Sequence, residues 1–60
     1  MQMTYIVQAL GWGDDEDAWE NIAAYSTKEQ AEKKIDELTK EWIADYGNTD
    51  ALELRIEELA

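Results

Sequence analysis

The segment "TKEQAEKKIDELTKEWIADYGN" constrains this chain more than any other. Thr27 opens a "TKEQ" capping box, in which Thr27 and Gln30 are expected to satisfy each other's backbone donors. From there Ala31, Ile35, Leu38, Trp42 and Tyr46 recur at helical spacing. Glu29 with Lys33, and Asp36 with Lys40, are favourable pairs one turn apart. Gly47 and Asn48 are good stop residues. The pattern predicts a helix over residues 28–46 whose single apolar stripe is the core face. A lone helix cannot bury its own stripe, so the rest of the 60 residues must supply the covering layer.

That layer reads as a sheet. Residues 3–10, "MTYIVQAL", are rich in β-formers and carry no formal charge. Met3, Tyr5, Val7 and Ala9 are expected to face one way and Ile6 and Leu10 the other. Apolar residues on both faces suit a central strand. Residues 11–18 form a turn, where Gly11 and Gly13 allow backbone conformations that other residues resist. Residues 19–26, "WENIAAYS", predict a second strand, with Ile22 and Ala24 on one face and Trp19, Ala23 and Tyr25 on the other. The two strands form a hairpin with a long loop.

The last segment, "ALELRIEELA", fits two readings. Leu52, Leu54 and Ile56 alternate with Glu53, Arg55 and Glu57, as in a half-buried strand; Leu52, Ile56 and Leu59 also fit a helical face behind an Asp50–Glu53 capping box. The strand is preferred, because a hairpin alone is marginal in water and a third strand with a helix gives it a core. The expected fold class is therefore α+β: a single β-β-α-β domain over residues 1–60, with a three-stranded antiparallel sheet and the helix on one face. The first strand sits in the centre, and the connection from second to third strand is right-handed. A chain of this size buries only about 60% of its unfolded surface, so marginal stability is expected.

Composition removes several function classes. The chain has no cysteine and no histidine, so it lacks thiolate chemistry, the commonest general base and the commonest metal ligand. No charged start precedes an apolar stretch and no apolar run approaches ~20 residues, so neither a signal peptide nor a membrane span is expected. The formal charge is −10, which repels nucleic acid and anionic membranes and attracts basic partners.

The charge is segregated. Residues 28–40 hold four acids and four lysines, residues 14–20 five acids and no base, and residues 41–60 six acids and one base, Arg55. In the β-β-α-β order the first loop and the helix C-terminus lie at the same end of the sheet. Asp14, Asp15, Glu16 and Asp17 then share one pole with Glu41, Asp45 and Asp50. That pole opposes stability. A helix C-terminus carries partial negative charge and favours Lys or Arg, yet here it has Glu41 and Asp45, spaced i,i+4, with Glu37 one turn before. Each like-charged pair costs roughly 0.2–0.5 kcal/mol.

As a calcium loop, "DDEDAWENIAAY" has consecutive acids, no central Gly and no closing Glu, so no metal site and no cofactor are expected. Zinc lacks its His and Cys ligands. Catalysis is not expected either. The acids sit in similar, exposed segments, Ser26 and Thr27 read as helix caps, and "GWG" leads into acids that repel phosphate. Trp42 and Tyr46 read as core. Tyr5, Trp19 and Tyr25 would form an exposed aromatic patch if the helix covers one face only, marking an interface or merely shielding the sheet. Trp12, beside the acids and without a core role, is the best candidate anchor.

Duplex DNA carries one negative charge per roughly 1.7 Å of axis, so grooves that hold it are dense in Lys and Arg. A compact domain with carboxylates on one side can occupy such a groove. A short, strongly acidic chain with this element order and the helix start "YSTKEQAEKKIDEL" resembles small phage-encoded inhibitors, the anti-CRISPR and anti-restriction proteins that mimic DNA. The resemblance implies a non-catalytic inhibitor in the host bacterial cytoplasm that occupies the basic nucleic-acid channel of a defence complex. Asp14, Asp15, Glu16, Asp17, Glu41, Asp45, Asp50 and Trp12 are the candidate partner-binding residues on the charge map above. The alternative is a small structural or regulatory interaction domain, a homodimer through its second sheet face, with acidity serving solubility.

Overall fold

The computed structural model describes residues 2–60. Its elements are β1 (Thr4–Leu10), β2 (Trp19–Tyr25), α1 (Lys28–Tyr46) and β3 (Leu54–Leu59). The strands form one sheet in the order β2-β1-β3, and β1 is antiparallel to both neighbours. The helix packs against all three strands. The fold is the α+β arrangement expected, with the uncharged strand in the centre and the last segment as a strand. No helix among the described residues is long and apolar enough to cross a membrane.

The helix starts and stops where its end residues dictate. Thr27 is extended (φ −130°, ψ 149°), and its Oγ1 accepts the Gln30 backbone N–H at 3.3 Å. The box is not reciprocal as expected: Thr27 Oγ1 itself donates to Gln30 Oε1 at 3.2 Å, so Gln30 binds the cap hydroxyl and not the backbone. At the other end Gly47 adopts φ 82° and its N–H donates to Ile43 O at 2.8 Å. A left-handed residue there costs Gly little and other residues more. Asp36 and Lys40 close their pair at 3.0 Å.

The core lies between helix and sheet. Val7, Ala31 and Leu38 form its centre, with Tyr5, Ile22, Tyr25, Ile35, Leu54 and Ile56 packed around them. Few side chains are this enclosed, as expected for a domain of this length.

Two expectations about side-chain direction fail, both for the same reason. Val7 pairs with Ala23, but Gln8 pairs with Asn21, so Ile22 is an extra residue, a β-bulge. A one-residue insertion reverses the alternation beyond it. Ile22 therefore joins Tyr25 in the core instead of opposing it, and Trp19, opposite Leu10, lies on the face away from the helix. Tyr5 and Tyr25 pack in the core, so the three rings do not form one exposed patch.

A third correction concerns the helix stripe. Ala31 and Leu38 are buried, but Trp42 is only half-buried and Tyr46 is 64% exposed. A 19-residue helix is about 28 Å long, whereas the seven residues of β1 span about 23 Å. The helix is longer than the central strand, and Ile43 and Tyr46 in its last turns stay exposed.

Candidate functional site

The last turns of the helix create the site. Leu38, Glu41, Trp42, Asp45 and Tyr46 are spaced to share one helix face. Trp12, carried by the β1–β2 loop, closes over them. Its ring lies 5.9 Å from that of Trp42 at an interplanar angle of 13°, and Trp42 lies 4.3 Å from Tyr46 at 41°. These six residues line an open cleft of about 270 Å³. Leu38 forms its buried base, three aromatic rings its walls, and Glu41 and Asp45 its anionic side. No Lys or Arg is among the lining residues.

The loop that carries Trp12 is held by its own backbone. Gly11 N–H donates to Ala18 O at 3.0 Å, and Gly11 has φ 79°, which favours glycine. Gly13 is not in that region; its role is space, because the Glu20 side chain packs across it where a Cβ would stand. Asp15 Oδ1 accepts the Asp17 backbone N–H at 2.9 Å, a local turn that fixes the acidic tip. One candidate acid is thus also a structural residue of the loop.

Asp14, Asp15, Glu16, Asp17, Glu41, Asp45 and Asp50 are all exposed. Of the eight candidates, Trp12, Glu41 and Asp45 meet in the cleft. Asp14 to Asp17 follow Trp12 in the same loop. Asp50 lies in the α1–β3 loop, where its backbone N–H donates to Asn48 Oδ1 at 3.1 Å, and it does not line the cleft. That loop returns to the same end, since Leu10 N–H donates to Glu53 O at 3.0 Å. No three carboxylates among the described residues are grouped as metal ligands would be.

Trp42, Tyr46 and Leu38 are site residues that the core assignment of the stripe concealed. The available signal was the interleaving of Glu41 and Asp45 with Trp42 and Tyr46. A second polar cluster, on the uncovered sheet face, was also missed. Arg55 lies with its Cζ 4.2 Å from the Trp19 ring centre and donates through Nε to Gln8 Oε1 at 2.6 Å. Gln8 Nε2 donates in turn to Asn21 Oδ1 at 2.8 Å. Gln8 is only 7% exposed, under this cover.

Comparison with protein-family models, curated proteins and solved structures finds no match. The functional reading therefore rests on the site itself.

Proposed function

We propose that this chain is a non-catalytic binding protein whose acidic end occupies a basic, nucleic-acid-binding surface of another protein, in the manner of a DNA mimic. The observation that carries this reading is the convergence at the cleft. An acidic loop and an acidic helix end, distant in sequence, meet through Trp12 and Trp42. The last helical turn has no basic residue to offset the dipole. Uncompensated charge that costs the free protein stability is regained when a cationic partner covers it. The net charge of −10 supplies long-range steering toward such a partner. The target class we propose, a bacterial defence complex, comes from the resemblance to phage-encoded inhibitors alone.

The test is affinity capture from a nuclease-treated bacterial lysate at low and high salt, followed by elution with duplex DNA. The expected result is a nucleic-acid-binding complex that DNA elutes and salt weakens steeply. Asp14→Lys combined with Asp17→Lys should abolish capture. A complex that neither DNA nor salt displaces, or that the double variant still captures, would refute the proposal.

One observation favours a second reading. The uncovered sheet face carries Trp19, Ile6, Leu10 and Leu59, and Leu59 is 45% exposed. A second copy of the chain docked there would give a homodimer, although two strongly anionic copies repel each other. Light scattering decides it: a dimer mass that Trp19→Ser abolishes supports this reading, and a monomer mass at high concentration removes it.

A further inference from the structure

We infer that the Trp12–Trp42–Tyr46 cleft is a receptor for one arginine side chain projecting from a basic protein partner. This rests on the reading above that the partner is a basic protein, and it specifies which cation the acidic end selects and where that cation sits.

The cleft's contents define its occupant. Its walls are two stacked indoles and a phenol, of which Trp12, 39% exposed, and Tyr46, 64% exposed, are the rings open to a cation; aromatic faces attract cations, Trp most strongly. Its rim carries Glu41 and Asp45, acceptors for charge-assisted hydrogen bonds. It opens at the negative end of a helix with no base in its last turn. Aromatic faces, carboxylates and a helix C-terminus all favour positive charge. An anion is repelled here by Glu41 and Asp45. A volume of about 270 Å³ admits a side chain, and it falls just below the roughly 300–1,000 Å³ range of small-molecule sites.

Arginine fits these parts better than lysine. Its guanidinium is planar, stacks on an indole while its edge donates to carboxylates, and is less strongly hydrated than an ammonium. The molecule uses this chemistry once already, on its uncovered sheet face. There Arg55 lies over Trp19 at 4.2 Å while its Nε donates to a side-chain oxygen at 2.6 Å. At the cleft the indoles and oxygen acceptors are present, and the lining residues contribute no cation of their own.

The experiment titrates the 60-residue chain with acetylated, amidated hexa-arginine and hexa-lysine, which carry equal charge. The indole N–H resonances of Trp12, Trp19 and Trp42 are followed by NMR. The expected result is that hexa-arginine shifts Trp12 and Trp42, leaves Trp19 in place and binds about tenfold tighter than hexa-lysine. Trp12→Leu, in an exposed loop position, should erase that preference while weak, salt-dependent binding of both peptides persists. Glu41→Gln with Asp45→Asn should weaken both peptides, and an unchanged amide spectrum outside the cleft shows that the variants fold. Equal affinity for the two peptides would overturn the inference, as would shifts confined to Asp14–Asp17. Tighter binding of a trimethyllysine peptide than of hexa-arginine would overturn it too, in favour of a quaternary-ammonium cage. If DNA-displaceable capture holds but arginine preference does not, only this inference falls. If arginine preference holds and no nucleic-acid-binding partner is captured, the DNA-mimic reading falls and the receptor remains.

Discussion

Two tryptophan clusters occupy opposite sides of this small domain, and they differ in one component. On the uncovered sheet face, Trp19 has its cation: Arg55 lies over it, and Gln8 and Asn21 complete a hydrogen-bonded chain. At the helix end, Trp42 has aromatic neighbours and two carboxylates but no base. The first cluster satisfies itself and covers Gln8, a polar residue in the middle of the central strand. The second leaves Tyr46 64% exposed and Trp12 39% exposed beside acids. Clusters of the first kind hold a fold together. The second cluster, on the reading proposed above, is completed by a cationic partner.

The contrast is sharpest if the two clusters respond differently to mutation. Leu38 is where the cleft and the core join, since it lines one and sits at the centre of the other. Leu38→Ala should destabilise the domain by about 2–5 kcal/mol, measured by urea unfolding. For about 60 residues that is much of the total stability, roughly 0.05–0.15 kcal/mol per residue. A loss below 1 kcal/mol would mean that the helix is not seated on Leu38 and that the cleft has no rigid base.

Next in size is the sheet face. Arg55→Met keeps an apolar chain over Gln8 but removes the donor to its Oε1. A shielded acceptor left unpaired costs about 1–3 kcal/mol. Adding Gln8→Met removes the orphaned acceptor and should return most of that loss, because exposed Asn21 can turn to water. A double variant no more stable than Arg55→Met alone would show that Gln8 is not held by the hydrogen-bond chain. Neither variant should alter the indole signals of Trp12 and Trp42.

What could be read ahead of the structure follows the same division. The helix limits were legible because local chemistry sets them: a Thr cap at one end and a Gly at the other act within a turn. Strand β3 was legible only through the fold: its alternation competes with a helical face on Leu52, Ile56 and Leu59, and the need of a hairpin for a third strand decides between them. The pole was legible because strand order alone brings the first loop and the helix end together. The bulge at Ile22 was not, since it is a register event between two strands and leaves no mark on residues 19–25 themselves. Its consequence, Trp19 meeting Arg55, was hidden with it. The cleft was hidden for a different reason. Periodicity says which residues share a helix face but not how far the sheet beneath extends, so it places Trp42 and Tyr46 in a core that ends before them.

The smallest effect is the most discriminating, because its sign differs between stability and binding. Glu41 lies i+4 from Glu37 and i−4 from Asp45, in the last turns of the helix. Glu41→Lys replaces two like-charged pairs with two opposite ones and places a base near the helix C-terminus. Exposed pairs of this kind are worth roughly 0.2–0.5 kcal/mol each, and the dipole adds a similar amount. The variant should therefore be more stable than the parent by a few tenths to about 1 kcal/mol, a gain that shrinks with added salt. The same substitution puts a cation on the wall where an arginine is expected to enter, so hexa-arginine affinity should fall. A surface acid kept only for solubility predicts the stability gain without the binding loss. An acid needed to orient the loop predicts a stability loss. Only an acid held at a stability cost for a cationic partner predicts a more stable protein that binds less well.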